Sequence, residues 1–172
     1  MLILNDKDEQ IPISQADAKY KRYIGNGAPK HFLSWSNNLT WRNFDLSVFF
    51  RGTFGFDVFN MRKYGMGLQG CGTDNVLRSA YLEDKNIRTG GGVISSYFLE
   101  DGSFIKLENV TLGYNFTPKN RKLLDNMRIY LSAKNLFTLT GYSGNDPSII
   151  DVNGIQPGVD SNSAYPTATQ LS

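Results

Sequence analysis

Alternation of apolar and polar residues constrains the fold of this chain more than any other feature. Between Phe32 and Trp41, every second position is apolar except Asn37: Leu33, Trp35, Leu39 and Trp41. The positions between them are polar: Ser34, Ser36, Asn38 and Thr40. A period of two is typical of a strand with one apolar and one polar face. The segment is therefore predicted to be a strand, with Asn37 as an imperfection on its apolar face.

Three further segments alternate in the same way. A tight turn at Arg42-Asn43 leads into a second strand with apolar Phe44, Leu46, Val48 and Phe50. A third begins at Ser103 with Ile105 and Leu107, and continues beyond Glu108-Asn109 with Val110, Leu112, Tyr114 and Phe116. Its phase slips by one residue, which predicts a β-bulge. The fourth runs from Met127 with Ile129, Leu131, Ala133, Phe137 and Leu139.

The segments between these strands divide the chain. Residues 1–30 are polar and turn-rich, and residues 31–139 hold the four antiparallel strands. Within them, about 54–102 lacks a clean period and is predicted to be a long loop, with short helical turns near 76–82. Residues 140–172 form a second long loop, and the connection at 117–126 is moderate in length.

Two all-β folds fit this pattern. Short connections that alternate with long ones, and strands near the ~9–11 residues that cross a bilayer at a tilt, favour a transmembrane β-barrel. Aromatic residues at both strand ends resemble the girdles of such barrels: Trp41, Phe44, Tyr114 and Phe116 at the short turns, and Phe50, Phe54, Phe104 and Phe137 near the long loops. A soluble β-sandwich also alternates. Periodicity alone leaves both folds open.

Composition excludes several classes of function. The net charge of +2, without a Lys/Arg run, argues against nucleic-acid binding. The lone Cys71 excludes an internal disulfide and any multi-cysteine metal site. No segment approaches the ~20 apolar residues of a membrane-spanning helix. No signal peptide follows Met1, so the natural start is expected upstream.

Catalytic and metal-binding chemistry is not predicted. The single histidine, His31, has no nucleophile elbow to complete a catalytic triad. The acidic pairs Asp6/Asp8 and Asp151/Asn153 lack the spacing of an EF-hand, and Gly90-Gly91-Gly92 lacks the Lys-Ser/Thr of a phosphate loop. The chain is therefore expected to be neither an enzyme nor the holder of a metal or cofactor.

Several blocks of sequence carry a resemblance to a known family. They are residues 23–30 (YIGNGAPK), 43–47 (NFDLS) with Arg51-Gly52, 100–114 (EDGSFIKLENVTLGY), 128–130 (RIY) with 135–137 (NLF), and 142–144 (YSG) with Asp146-Pro147. In their order and spacing, these blocks resemble the TonB-dependent outer-membrane transporters of the SusC/RagA type, found in Bacteroidetes.

The resemblance implies a fold and a role for a larger parent protein. Members of the family form a barrel of about 22 strands around a plug. They import oligosaccharides or similar nutrients, glycan or peptide, across the outer membrane, with a SusD-like surface lipoprotein and with TonB acting through the plug. The plug and the final strand are expected to lie outside this sequence. A four-strand piece cannot close a barrel, so this fragment is not expected to transport by itself.

Substrate contacts are expected in the long loops. Candidates chosen by position are Tyr64, Tyr81, Tyr142 and Asn145, because aromatic faces and amides bind sugars and because loops carry function. The alternative is a soluble β-sandwich that binds glycans at the cell surface. It requires Leu33, Trp35, Leu46 and Val48 to be covered by a second sheet. A structural adhesin-like module without a small ligand is a third reading.

Overall fold

The structure is a computed structural model that describes residues 2–4, 10–12, 23–67, 75–78, 96–116, 126–150, 156–161 and 165–172, the first two ranges as backbone only. Its strands are β1 (Leu2–Leu4), β2 (Gln10–Pro12), β3 (His31–Trp41), β4 (Phe44–Phe54), β5 (Asp57–Asn60), β6 (Leu99–Asp101), β7 (Phe104–Phe116), β8 (Met127–Thr140), β9 (Val159–Asp160) and β10 (Gln170–Leu171). One α-helix, α1, spans Met61–Met66, and 3₁₀ turns lie at Ser96–Phe98 and Pro147–Ile149.

The main sheet is antiparallel and has the strand order β10-β8-β7-β4-β3. The strands β3, β4, β7 and β8 correspond to the alternating segments of the sequence, and the all-β antiparallel class predicted from them is confirmed. β10 adds a fifth strand, which pairs with β8 at Gln170↔Lys134 and Leu171↔Ala133. In the described residues the sheet is open, since β3 and β10 do not pair with each other.

The tight turn between β3 and β4 has the predicted position. Trp41 pairs with Phe44, so Arg42 and Asn43 alone make the connection. Arg42 has a φ of 53°, which is the left-handed conformation that the first residue of such a short hairpin loop often requires.

The predicted β-bulge is also present. Phe49 pairs with Asn109 whereas Phe50 pairs with Leu107, so Glu108 is the extra residue on β7. The bulge places the Glu108 carboxylate where Arg51 Nε donates a hydrogen bond of 2.5 Å to it. Because of this extra residue, the apolar residues before and after the bulge lie on the same face of the sheet.

The main sheet has two unlike faces. The apolar face carries the apolar positions of β3 and their cross-strand partners on the other strands, and many of these side chains are exposed. Leu33 is 62% exposed and Trp35 52%, so no second sheet covers them in the described part of the chain. Leu46 and Val48 are half-buried by their neighbours within the sheet. The β-sandwich alternative, which needs these four side chains covered, is therefore wrong.

The opposite, polar face supports a second layer at the long-loop end of the sheet. This layer, the cap, consists of residues 55–67, 96–103, 141–150 and 156–161. In it β5 pairs antiparallel with β6 and parallel with β9. Its core contains Phe56, Val58, Phe104, Tyr142 and Ile150. The cap is therefore folded onto the wall of the sheet.

Phe104 does not belong to an aromatic girdle, contrary to the sequence-based expectation. It pairs with Thr53 and is 4% exposed in the core of the cap. Its neighbour Ile105 lies on the apolar face, so alternation directs Phe104 to the polar face. A position near the end of a strand does not by itself place an aromatic ring toward the outside.

The segment predicted to be one long loop contains short elements in its described parts. Asn60 caps α1 by accepting a hydrogen bond of 2.9 Å from Lys63 N, so the helix lies at 61–66. Helical turns were expected near 76–82; residues 75–78 are not helical, and 79–82 lie outside the described residues. Among the described residues, no helix is both long enough and apolar enough to cross a membrane.

Candidate functional site

A buried lysine anchors the cap to the polar face of the sheet. Lys106 lies on β7 and is 2% exposed. Its ammonium donates hydrogen bonds of 2.8 Å to Ser148 Oγ and 2.5 Å to Thr167 Oγ1, and it also forms an ion pair with Asp146. A charge this deeply buried requires such a full set of partners. One side chain of the wall thereby holds two separate loop segments.

Asp146 organises the loop side of this anchor. Its carboxylate accepts hydrogen bonds from Ser148 N at 2.9 Å and from Thr167 Oγ1 at 2.8 Å. Burial favours the neutral acid, but the hydrogen bonds from Ser148 and Thr167, together with the charge of Lys106, hold the pKa of Asp146 below its usual range. The carboxylate is therefore ionised at neutral pH.

A second buried hydrogen bond links the two later segments of the cap. Tyr142 is 6% exposed, and its hydroxyl donates a hydrogen bond of 2.6 Å to Asp160. Burial, and then the Asp160 carboxylate, raise the pKa of the phenol. Tyr142 therefore remains a neutral donor that ties residues 141–150 to β9.

The described residues also form a cleft of about 570 Å³. We call it the polar cleft; it is lined by Asn60, Arg62, Lys63, Leu77, Glu100, Asp101, Gly141 and Ser143. It contains both cationic and anionic side chains, an amide and a hydroxyl. Such a lining suits a polar ligand that offers several hydrogen-bond donors and acceptors.

Glu100 is the centre of the cleft wall. Its carboxylate accepts hydrogen bonds from Ser143 N and Ser143 Oγ, both at 2.8 Å, and from Asn60 Nδ2 at 3.3 Å. Lys63 Nζ lies 3.7 Å from it and 4.3 Å from the ring centroid of Tyr97. These contacts fix side chains from β5, α1, β6 and the 141–150 segment in one wall.

The block at residues 23–30 supports the cap from the side. Asn26 N donates a hydrogen bond of 2.9 Å to Asp57 Oδ2, and Asp57 N donates one of 2.7 Å to Asn26 O. A Cβ atom added at Gly27 would overlap the backbone of Pro157 and Gly158. This block therefore has a packing role, because it fixes β5 and the segment that precedes β9.

The structure places the predicted substrate-binding residues in different surroundings. Tyr64 lies in an aromatic cluster, with its ring centroid 5.7 Å from that of Phe59 and 5.2 Å from that of Phe98. Tyr142 is buried beneath the cap surface. Asn145 is exposed and accepts a hydrogen bond of 3.1 Å from Arg62, a residue of the cleft. Tyr81 lies outside the described residues. Of the three candidates that the structure describes, only Asn145 is hydrogen-bonded to a side chain that lines the polar cleft.

Residue-by-residue reasoning from sequence missed Arg62, Lys63 and Glu100. Glu100 belongs to the 100–114 block that carries the family resemblance, and that block was the available signal for it. Arg62 and Lys63 lie in a segment without periodicity, and nothing in the sequence distinguishes them from other loop cations.

The other sequence features supply no further site in the described part of the chain. His31 pairs with Phe54 at the end of β3 and is exposed. Among the described residues, no group of three or more His, Cys, Asp or Glu side chains could hold a metal ion. The remaining candidates lie outside those residues: Asp6, Asp8, Cys71, Gly90, Gly91, Gly92, Asp151 and Asn153.

Comparison with known proteins gives relatives of one kind. No family model matches the chain. TonB-dependent receptor P3 of Formosa agariphila is 30% identical over 158 residues, which cover 83% of this chain and 15% of the receptor. TonB-dependent receptor SusC of Bacteroides thetaiotaomicron is 27% identical over 142 residues, covering 77% and 13% of the two chains.

Solved structures share the fold. The RagAB peptide importer in its closed-closed state superposes with a TM-score of 0.74 at 23% identity, covering 98% of this chain and 19% of the other. Its open-open state gives a TM-score of 0.73. The chain spans less than a fifth of the length of each protein compared. Sequence and fold agree that this chain is a barrel-wall segment of the SusC/RagA-type TonB-dependent receptors, which are proteins of the outer membrane.

Proposed function

We propose that the protein containing this segment imports oligosaccharides or similar nutrients across the outer membrane, and that the polar cleft is one of its substrate contacts. The supporting observation is the position of the cleft. It lies in a cap folded over the polar face of the wall, at the long-loop end, which is extracellular in barrels of this type. A ligand that enters the lumen from outside passes this surface. The role is binding, without bond-making chemistry.

Oligosaccharide is the substrate class implied by the resemblance to SusC. Ser143 provides a hydroxyl, and Glu100 and Asp101 provide carboxylate oxygens that can accept hydrogen bonds from sugar hydroxyls. Asn145 extends this surface through its bond to Arg62. Tyr64, Tyr81 and Tyr142 remain predicted contacts. Contact with a substrate would require the aromatic ring of each residue to face the lumen.

Peptide is a second candidate, and the charges of the cleft favour it. None of the lining residues is aromatic, although aromatic faces are the usual platform for sugar rings, and both signs of charge are present. Arg62 can pair with a carboxylate, and Asp101 can pair with an ammonium group. A solved relative of the same fold is described as a peptide importer.

The proposed partners are a SusD-like lipoprotein at the extracellular end and TonB acting through a plug domain. The exposed surface of the cap around Asn145 is the part of this segment that such a lipoprotein would meet. Both partners are proposed for the complete protein, because their binding involves regions beyond this segment.

Uptake by cells that produce the complete protein tests this proposal. A strain lacking the gene is complemented with the wild type, Arg62→Gln or Glu100→Gln, and given fluorescent oligosaccharides and, separately, oligopeptides. Losing one charge-assisted hydrogen bond is expected to weaken uptake of the true substrate about tenfold, which corresponds to ~1.4 kcal/mol. Gly65→Ala is the control, because a Cβ atom at Gly65 meets nothing within 4 Å.

The outcomes separate the hypotheses. One result is that the cells take up only one of the two probes, in a way that requires TonB and is weaker in both cleft variants. That result would support import and identify the substrate class. Wild-type uptake by both variants would remove the cleft from the proposal. No uptake of either probe by the complemented wild type would contradict nutrient import itself. Co-purification of the complete protein with a surface lipoprotein from the same cells tests the partner separately.

A further inference from the structure

A second cleft lies at the other end of the wall and on the other face. We call it the turn cleft; it has a volume of about 340 Å³ and is lined by Trp41, Arg42, Asn43, Phe44 and Tyr114. It surrounds the short turn between β3 and β4. In the barrel this end is periplasmic, and the apolar face is directed toward lipid. The turn cleft therefore lies at the height of the inner-leaflet headgroups.

Arg42 provides an uncompensated positive charge at this cleft. Its guanidinium lies 5.3 Å from the ring centroid of Trp41, which holds it on the apolar side. None of the described residues forms an ion pair or hydrogen bond with it. The nearby acid in sequence, Asp45, lies on the polar face, where it accepts bonds from Arg128 and from Asn115. The guanidinium of Arg42 is therefore exposed and available to an anion from outside the described part of the chain.

The backbone at Arg42 is unusual for an arginine. Its φ of 53° lies in the left-handed region, which costs an L-residue with a long side chain about 1 kcal/mol relative to glycine. Hairpin turns of this length usually place Gly, Asn or Asp at such positions. A residue held in a disfavoured conformation suggests that its side chain has a role.

The walls of the cleft are aromatic. The ring centroids of Phe44 and Tyr114 are 4.7 Å apart, and Tyr114 stacks on Phe116 at 6.1 Å. Tyr114 is 39% exposed, and its hydroxyl makes no hydrogen bond with a described residue. The cleft thus combines a cation, a free phenolic donor and apolar surface.

We propose that the turn cleft binds a phospholipid of the inner leaflet. Arg42 pairs with the phosphodiester, the Tyr114 hydroxyl donates to a phosphate or ester oxygen, and Trp41 and Phe44 contact the glycerol and the first acyl carbons. A guanidinium matches the geometry of a phosphate oxygen pair. Free phosphate has no apolar part that could contact the aromatic walls. The charge and the apolar surface together therefore select a lipid. This inference is independent of the imported substrate.

Native mass spectrometry of the complete, delipidated protein in detergent tests the site. Dioleoylphosphatidylglycerol is titrated against the wild type, Arg42→Gln and Arg42→Gly. Both variants are expected to bind the highest-affinity lipid about tenfold more weakly. Arg42→Gly also fits the φ of the turn, so its barrel should fold at least as well, as shown by heat-modifiable migration. A purely structural Arg42 would instead give a folding defect.

Two controls decide the outcome. Lys134→Gln removes a cation from the polar face, away from lipid, and should leave lipid binding unchanged. Inorganic phosphate at millimolar concentration should not displace the lipid. Equal loss in Lys134→Gln, unchanged binding in both Arg42 variants, or displacement by phosphate would each overturn the proposal. A periplasmic peptide that co-purifies with the wild type and excludes the lipid would assign the cleft to a protein partner instead.

Discussion

Lys106 on β7 and Asp146 in the cap are 40 residues apart in sequence and form an ion pair with an N–O distance of 3.3 Å. Their side chains are 2% and 8% exposed. The desolvation of two charges is offset here by the hydroxyls of Ser148 and Thr167, which complete the shell of the ammonium. This pair therefore connects the barrel wall to the loops that bear the polar cleft.

Replacing Lys106 by Met should loosen the cap while the barrel remains folded. The Asp146 carboxylate would be left buried without its counter-charge, which costs about 3–5 kcal/mol in such pairs. Hydrogen exchange of the complete protein is expected to accelerate in residues 141–150 and 165–169, with unchanged protection of β7 and β8.

Two variants control this prediction. Lys134→Met removes an exposed lysine from the same face and should not change exchange in the cap. Lys106→Met combined with Asp146→Asn should recover most of the protection, because no unpaired charge remains. Unchanged exchange in the single variant would show that the pair does not hold the cap.

Lowering the pH should weaken the ion pair between Lys106 and Asp146, because Asp146 becomes protonated. Its pKa is lower in the folded protein than the value of about 3.9 expected in an unfolded chain. The stabilisation is then fully present above about pH 4 and is lost as the pH falls through the folded pKa.

Exchange of residues 141–150 measured from pH 7 down to pH 3 checks this direction. Protection, corrected for the intrinsic pH dependence of exchange, should stay constant to about pH 4 and then fall. In Asp146→Asn, which cannot ionise, this fall should be absent. A loss of protection that begins near pH 6 would point to a different titrating group.

Gly102 should tolerate no side chain. A Cβ atom there would overlap Phe56 and Val58 in the core of the cap. Gly102→Ala is expected to destabilise the cap by about 1–3 kcal/mol, as overpacking of a filled core does. Limited proteolysis of the complete protein should cut the cap of this variant faster. Gly141→Ala is the matched control, since a Cβ atom at Gly141 meets nothing within 4 Å.

The long strands of the main sheet could be predicted from this sequence, whereas the short strands of the cap could not. Each long strand repeats its apolar period over enough residues to define both faces, and the slip at Glu108 was visible for the same reason. β5 and β6 span only Asp57–Asn60 and Leu99–Asp101, which is too short for a period to be recognised. Their order comes from tertiary contacts such as Asn26 with Asp57.

The polar cleft was unpredictable for a related physical reason. Glu100 and Ser143 meet across 43 residues of sequence, through a hydrogen bond that no local pattern encodes. Tyr142 was chosen only by its position in a loop, and the structure adds that its ring lies in the core of the cap and its hydroxyl bonds to Asp160. Loop position indicates where function can lie, but burial within a folded loop depends on partners far along the chain.

Asn37 offers a test of the lipid-facing assignment. It lies on the apolar face opposite Val48, and its Oδ1 is buried without a hydrogen-bond partner in the described part of the chain. An unsatisfied carbonyl against lipid is unfavourable, so Asn37→Leu should stabilise the complete barrel by about 1–2 kcal/mol in urea-driven folding into vesicles. The neighbouring Asn38 is exposed on the polar face. Asn38→Leu adds the same side chain toward water and should give no gain. If both leucines have equal effects, the two faces do not meet different solvents and the assignment of lipid to the Leu33–Trp41 face is wrong.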